Sequence, residues 1–242
     1  MQKSNIEWTD YTWNPIKGIC PVGCWYCYAR RMYQRFGWNP EIRLDGELFG
    51  SCQDAFAPNI NVYKKLERIK AGSKIFICST FELFHPHVPK EWKDAIFQAI
   101  KDNPQHTFQI LTKLPQNIDR EMPDNVWLGV TITGDDDQWS KAFNLYSKLP
   151  KIKFISFEPL FQPIEIIDEL WVFDWIITGR VTGQGKKHQP ERAWIQEIVD
   201  ECKNSDTPVF IKNNLKQIWG EPLIQEFPNI AEESIYQQNI NS

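Results

Sequence analysis

Short apolar runs, rich in β-branched and aromatic residues, alternate along the chain with longer segments whose apolar positions have helical spacing. Six such runs lie at 74–78, 107–112, 126–131, 153–157, 174–179 and 208–212. Helices are predicted over about 89–101, after Pro115, over about 138–149 and from Pro190 to about 203. Because near-continuous apolar strands that alternate with helices are typical of parallel sheets covered by helices, the pattern predicts an α/β fold.

A further strand is expected around 12–16, which gives six to seven parallel strands in all. This number fits a partial (β/α) barrel or an open doubly wound sheet, and the sequence alone does not separate the two. The length of 242 residues suits a single domain over 1–242, with a flexible tail predicted over about 230–242. In both architectures the chemistry gathers at the carboxyl ends of the strands.

Three cysteines follow the first predicted strand within one short loop. Cys20, Cys24 and Cys27 have the spacing C-x3-C-x2-C, with Pro21 and Gly23 between them. Three thiolates can hold three irons of a [4Fe–4S] cluster and leave the fourth iron open, whereas electron-transfer clusters take four cysteines. An open position distinguishes a metal site that performs chemistry from one that only braces a fold. The loop therefore favours a three-cysteine cluster.

Zinc and inert thiols are the alternatives for this loop. A structural zinc site normally needs four Cys or His ligands, usually as two pairs. No second pair is evident, since Cys52, Cys78 and Cys202 are scattered along the chain. Free cysteines are also common as small buried hydrophobic residues. A non-catalytic zinc- or iron–sulfur-binding protein is thus the second hypothesis.

Polar residues follow the predicted strands at the end where the cysteine loop lies. They are Ser79, Thr80, Glu82, Thr112, Lys113, Thr131, Thr133, Glu158, Gly179, Arg180, Lys212 and Asn213. Each one alone is most simply a turn residue or a helix cap. As a set on one edge of a parallel sheet, they predict a pocket that faces the thiols. Ser79, Glu82, Thr112, Glu158 and Gly179 are expected around it.

Three charged residues in this set end or follow apolar strands. We expect Lys113, Glu158 and Lys212 to serve the substrate or the carboxylate of a cofactor, because an unpaired buried charge is strongly disfavoured. The lysines suit an anionic group, and Glu158 suits a ribose or base. An internal Lys–Glu ion pair is the alternative for at least one lysine.

The composition limits the partners and the compartment. The net charge of −4 counts against strong binding of polymeric nucleic acid, and Arg30, Arg31 and Arg35 are most simply solvated surface charges. No apolar run approaches the roughly 20 residues of a membrane span, and the first residues lack an apolar signal segment. Crowded cysteines without such a segment favour a reducing compartment. A cytoplasmic protein with no membrane partner is expected.

Two levels of family resemblance follow from these motifs. Cys20, Cys24, Tyr26 and Cys27 resemble the signature of the radical S-adenosylmethionine (SAM) enzymes. Over almost the whole chain, the sequence resembles the phage-type three-cysteine-motif family of unknown function. The shared motifs are Glu7-Trp8-Thr9-Asp10, Trp13-Asn14-Pro15, Phe81-Glu82-Leu83-Phe84, Pro104-Gln105-His106-Thr107-Phe108, Leu111-Thr112-Lys113, Asn125-Val126-Trp127-Leu128-Gly129, Phe157-Glu158-Pro159-Leu160, Asp174-Trp175-Ile176-Ile177 and Phe210-Ile211-Lys212.

The resemblance implies a radical-SAM-like partial barrel and a [4Fe–4S] cluster whose open iron is chelated by SAM. One electron, from a donor such as flavodoxin or ferredoxin, would cleave SAM to methionine and a 5′-deoxyadenosyl radical. Tyr26 would approach the adenine through its backbone, and Ser79 and Glu82 would lie near the methionine ammonium. Thr112 and Gly179 would complete the cofactor pocket. A nucleic-acid base or nucleoside is the expected substrate, and a peptide or a small metabolite is the second choice.

The chain departs from the family at one loop. The family commonly has Gly-Gly-Glu-Ser-Gly where this chain has Gly179-Arg180-Val181-Thr182-Gly183. An acid is lost and a cation is gained, so the binding role of this loop does not transfer to Arg180 or Val181.

Overall fold

Ten strands and six α-helices make up the computed structural model, which describes residues 1–45, 60–134, 138–148, 150–165 and 170–229. The strands are β1 (Gln2–Lys3), β2 (Tyr11–Trp13), β3 (Ile16–Lys17), β4 (Arg43–Leu44), β5 (Lys74–Ile77), β6 (Thr107–Thr112), β7 (Val126–Thr131), β8 (Ile152–Phe157), β9 (Trp175–Thr178) and β10 (Val209–Ile211). The helices are α1 (Tyr28–Phe36), α2 (Ile60–Glu67), α3 (Lys90–Lys101), α4 (Gln138–Tyr146), α5 (Arg192–Asn204) and α6 (Lys216–Trp219). Cys52 and the predicted tail over 230–242 lie outside the described residues.

Eight of these strands form the central sheet, in the order β1-β2-β5-β6-β7-β8-β9-β10. Strand β1 is antiparallel to β2, and the other seven strands are parallel, as the sequence predicts. The parallel strands follow one another in chain order, whereas a doubly wound sheet requires a reversal of that order. The winding is therefore that of a partial barrel.

The packing of the helices agrees with this winding. Ile96 and Ile100 of α3 and Ile195 and Ile198 of α5 belong to one apolar cluster. The same cluster contains alternate residues of the strands, namely Ile75, Ile77, Phe108, Ile110, Leu128, Val130, Ile155, Ile176, Val209 and Ile211. Side chains at alternate positions of a strand share one face of a sheet. The helices α3 and α5 thus cover the same face of the sheet, which is the outer face in a partial barrel.

The opposite, inner face is aromatic. Its cluster consists of Trp8, Phe76, Trp127, Ile152, Phe154, Trp175, Ile177 and Phe210. Strand β7 has a glycine where the ring of Phe154 crosses it, and a Cβ on Gly129 would lie 2.3 Å from that ring. Trp127, Ile152 and Trp175 begin or nearly begin their strands, so the rings fill the amino-terminal half of the inner face. The carboxyl half is left for the pocket.

The predicted strands and the helices α3, α4 and α5 are present with small shifts at their ends. The sequence pattern did not predict α1, α2 or the two-stranded β3–β4 ladder. The helix α1 has only one buried residue, Ala29, although Tyr28, Met32 and Phe36 recur at helical spacing. None of the described helices is long and apolar enough to cross a membrane.

Candidate active site

The cysteine loop connects β3 to α1 and is held by hydrogen bonds from that helix. Cys27 is the N-cap of α1, and its Sγ accepts from the backbone N–H of Arg30 at 3.4 Å. The Arg30 guanidinium donates to the carbonyl oxygen of Cys20 at 3.0 Å. The interpretation of Arg30 as a solvated surface charge is therefore wrong, since its side chain closes the loop on itself.

A second arginine of α1 ties this helix to a distant loop. Arg31 donates to the carbonyl oxygens of Gly183 and Thr182, each at 3.0 Å. Gly183 has φ +73°, and a Cβ there would lie 2.9 Å from the Arg31 guanidinium. Glycine thus gives the backbone its left-handed conformation and leaves room for the arginine. Arg31 also has a structural role, and the surface interpretation is wrong for it as well.

The three thiols line a cavity of about 330 Å³ at the carboxyl end of the sheet. Its lining also includes most of the sequence-predicted site residues, namely Tyr26, Ser79, Glu82, Lys113, Glu158 and Lys212. Thr112 and Gly179 lie just behind this wall. Thr112 is buried beneath Glu82, and a Cβ on Gly179 would lie 2.8 Å from the Glu158 carboxyl group. The structure thus brings the predicted residues to one place, and their roles as ligands stay predictions.

Glu82 is the most heavily hydrogen-bonded acid of the cavity. Its Oε1 accepts from the Thr112 hydroxyl at 2.6 Å and from the Phe84 N–H at 3.2 Å. Its Oε2 accepts from the Lys113 N–H at 2.7 Å. Burial raises the pKa of Glu82, against the effect of these donors. Three of the roughly four acceptor positions of a carboxylate are filled.

Glu158 and Lys212 form an ion pair, which is the alternative that the sequence left open. Lys212 Nζ lies 2.6 Å from Glu158 Oε1, and both side chains are largely buried. Burial alone would lower the pKa of Lys212, but the Glu158 carboxylate outweighs burial and the pKa is raised. The Asn214 amide donates to the same Oε1 at 3.5 Å. Among the described residues, Oε2 of Glu158 has no protein partner.

The loop residue that departs from the family is bound within the protein. Arg180 donates through Nε to the carbonyl oxygen of Asn214 and through Nη1 to Gln189 Oε1 at 3.1 Å. Its side chain still contributes to the wall of the cavity. The cation therefore shapes the loop that follows β9 rather than standing free in the pocket.

Lys113 differs from Lys212 in its partners. Its ammonium donates to the Thr131 hydroxyl at 3.2 Å. In the described part of the chain, no carboxylate lies within 4 Å of it. Lys113 is therefore a cation of the cavity that has no ion-pair partner among the described residues.

An aromatic rim borders the cavity on the solvent side, and sequence reasoning singled out only one of its residues, Tyr26. It consists of Trp25, Tyr26, Phe161 and His188, which come from three loops. Trp25 stacks on Phe161 with ring centroids 5.2 Å apart and an angle of 24°. His188 and Tyr26 contact these two rings edge-on. The position of Trp25 between two cysteines was the available signal, whereas the approach of Phe161 and His188 is purely tertiary.

The residues present fit an iron–sulfur cluster. Backbone groups of Val22 and Glu82 hydrogen-bond to Cys20, and the Arg30 N–H points at Cys27. Such N–H donors, together with a helix N-terminus, stabilise thiolates. Burial nevertheless raises the pKa of Cys20. Within the described ranges, no three Cys, His, Asp or Glu side chains converge as ligands of one metal ion; thiolates on separate irons need not converge so closely.

Two solved structures resemble the chain in fold. A mutant spore photoproduct lyase with bound AdoMet and dinucleoside spore photoproduct has a TM-score of 0.50 at 12% identity, covering 88% of this chain and 75% of that one. Spore photoproduct lyase complexed with dinucleoside spore photoproduct has a TM-score of 0.45 at 13% identity, covering 85% and 73%. The first likeness confirms the predicted radical-SAM-like α/β fold.

The comparison with curated proteins finds no match. One family model matches residues 3–233, and its description is "Protein of unknown function (DUF5131)". Because this match spans nearly the whole sequence, the protein belongs to the DUF5131 family.

Proposed function

We propose that the protein is a radical SAM enzyme in which Cys20, Cys24 and Cys27 hold a [4Fe–4S] cluster and the adjoining cavity binds SAM. The observation that supports this most is the placement of the three thiols. They line a polar cavity at the carboxyl end of a parallel sheet, and backbone N–H groups point at two of them. The fold relative with bound AdoMet supports the choice of cofactor.

Cys20, Cys24 and Cys27 would hold the cluster, which when bound would supply the electron for reductive cleavage of SAM. The chain's own residues bind and orient SAM. Glu82 accepts from the SAM ammonium with its fourth acceptor position, because the other three are filled by the protein. Lys113 would donate to the SAM carboxylate, since a hydroxyl is the only partner of its ammonium among the described residues. Tyr26 lies at the same wall and takes the adenine.

The substrate that we propose is a nucleic-acid base or nucleoside. Glu158 has one oxygen on Lys212 and one without a partner among the described residues. Its Oε2 accepts a hydrogen bond from a ribose hydroxyl or an exocyclic amine. Lys212 Nζ donates to the other oxygen, Oε1, so Oε2 is the acceptor that Glu158 offers to a substrate. A flavodoxin- or ferredoxin-type donor provides the electron.

Anaerobic reconstitution tests this proposal. We expect about four irons per chain. After reduction and addition of SAM, we expect 5′-deoxyadenosine in the product mixture, detected by chromatography. A colourless protein with one zinc per chain would instead identify a zinc-binding protein. A protein with the full cluster that neither binds nor cleaves SAM would identify a non-catalytic iron–sulfur protein, and either result would overturn the proposal.

A further inference from the structure

The aromatic rim extends the cavity outward onto the protein surface. Tyr26 belongs to the cavity lining, whereas Trp25 lies outside it and is 56% exposed. Phe161 stacks on one face of the Trp25 indole, and His188 contacts the indole edge-on, with the ring centroids 4.9 Å apart. Large aromatic residues are usually well buried, so rings held in a fixed stack at the surface indicate a binding surface.

Two of the three segments that form this rim carry charges of one sign. Every charged residue of 11–40 and of 175–190 is basic, although the whole chain has a net charge of −4. They are Lys17, Arg30, Arg31, Arg35, Arg180, Lys186 and Lys187. Arg31 joins the two segments through its bonds to Thr182 and Gly183. The acidic balance of the chain therefore belongs to other surfaces.

Two of these cations are free to meet a ligand. Lys186 and Lys187 immediately precede His188 and are exposed. Within the described ranges, no carboxylate lies within 4 Å of either ammonium. Exposed lysines beside an exposed ring are the combination that binds single-stranded nucleic acid, in which bases stack on aromatic faces and phosphates meet basic residues.

We infer that the rim binds a single strand of nucleic acid, with one base stacked on Trp25 and the neighbouring phosphates on Lys186 and Lys187. We further infer that the nucleotide next to the stacked base enters the cavity. Only this second statement rests on the proposed function. The volume of about 330 Å³ is at the low end for ligand pockets. SAM and a cluster would fill most of that space, so a substrate larger than one base has to extend over the rim. The flat face of Trp25 favours bases over an acidic peptide.

Binding of 12-mer oligonucleotides with a fluorescent label tests the inference by anisotropy, without SAM or reductant. The label is needed because eleven tryptophans obscure the signal of one indole. We expect Trp25→Ala to weaken binding about 10-fold, as for the loss of one base–aromatic stack, and Trp25→Phe to retain most of it. The control is Trp171→Ala, because Trp171 is more exposed than Trp25 but precedes β9 at the amino end of the sheet. It should leave binding unchanged.

The lysines are tested by the salt dependence. A Lys186→Ala/Lys187→Ala double variant should reduce the slope of log K against log salt by about 1.4, which corresponds to two phosphate contacts on a single strand. Lys101→Ala/Lys151→Ala, which removes two exposed lysines at the amino end, should leave the slope unchanged. DNA and RNA 12-mers of the same sequence distinguish the two sources of the ligand.

Three outcomes would overturn the inference. They are equal affinity of the wild type and Trp25→Ala, loss of affinity in the control variants, and preference for polyglutamate over the oligonucleotides. A protein that cleaves SAM but binds no oligonucleotide would overturn this inference alone. A protein that binds oligonucleotides through Trp25 but assembles no cluster would overturn the proposed function and leave this inference standing.

Discussion

The two ends of the parallel sheet treat their polar groups in opposite ways. At the amino end, Asp10 accepts from the backbone N–H of Lys74 at 2.7 Å. Asp174 accepts from both the N–H and the ammonium of Lys153. Asn125 donates to three backbone carbonyls. These polar groups are hydrogen-bonded within the protein, at the end of the sheet where the inner face is filled by aromatic rings.

At the carboxyl end, several polar groups keep capacity for a ligand. Lys113 has only a hydroxyl partner, and Glu158 has one oxygen without a partner among the described residues. The three thiols share the same cavity. In α/β barrels, the carboxyl ends hold the chemistry and the amino ends hold the stability. Substitutions at the two ends should therefore separate activity from stability.

The largest expected effect is at the cysteine loop. Cys24→Ala should abolish cluster assembly and SAM cleavage, because Cys24 is one of the three thiols that this loop contributes to the cavity. The stability of the metal-free protein should change by no more than about 0.5 kcal/mol, since the side chain is not part of the core. Iron content and urea unfolding measure the two effects. Cys202→Ala is the control, and it should retain the iron; full iron in Cys24→Ala would contradict the ligand assignment.

The opposite result is expected at the amino end. Trp175 is fully buried against Trp8, Phe154 and Phe210, and its Nε1 donates to the Glu226 carbonyl. Trp175→Ala should lower the free energy of unfolding by about 3–5 kcal/mol, from lost burial and the resulting cavity. The exposed Trp171→Ala should change it by less than about 0.5 kcal/mol. Similar losses of stability in both variants would contradict the assignment of the inner aromatic cluster as the source of this stability.

The two lysines of the cavity sharpen the comparison within one site. Lys113→Met should weaken SAM binding by about 10-fold or more, as for a hydrogen bond to a charged group, with little loss of stability. Lys212→Met should instead destabilise the protein by about 1–3 kcal/mol, because it leaves Glu158 without its cation. Adding Glu158→Gln should recover much of that loss. Equilibrium dialysis measures the affinity for SAM, and urea unfolding measures the stability. Equal effects of the two substitutions on both quantities would contradict the proposed difference between Lys113 and Lys212.

The smallest effect concerns pH. Burial raises the pKa of Cys202 from 9.0 to about 12 in the folded protein. Because the folded pKa is above the unfolded one, the contribution is complete below pH 9 and is lost as the pH rises toward 12. Between pH 8 and pH 10 this thiol should cost about 1 kcal/mol of stability. Cys202→Ala should show a correspondingly shallower decline in urea unfolding, and an unchanged slope would contradict the assignment.

The sheet was predictable because each parallel strand is a short apolar run bounded by polar residues. The run 74–78 and its equivalents are buried on both faces, so their pattern is strong. The order of the strands was not predictable from the pattern, since it depends on how each helix crosses. The helix α1 was missed although Tyr28, Met32 and Phe36 recur at helical spacing, because the segment is short and three of its nine residues are arginines.

The site was predictable to the extent that parallel strands place their ends together. The sequence located Glu82, Lys113, Glu158 and Lys212 at one edge. It did not show that Lys212 forms an ion pair with Glu158, whereas Lys113 has no such partner among the described residues. That difference depends on the distances between side chains of different strands. The rim was missed for the same reason, since Trp25 and Phe161 are distant in the chain.

The bonds from Arg31 to the loop after β9 also set an order of events during synthesis. Arg31 and Gly183 are 152 residues apart, so the helix that follows the cysteine loop makes these contacts only when most of the chain has left the ribosome. At 5–20 residues per second this delay is roughly 8–30 s. Throughout that interval the three thiols have no completed pocket around them. If iron and sulfur were delivered before Arg31 makes these contacts, the cysteines of the nascent chain would still be exposed and open to oxidation.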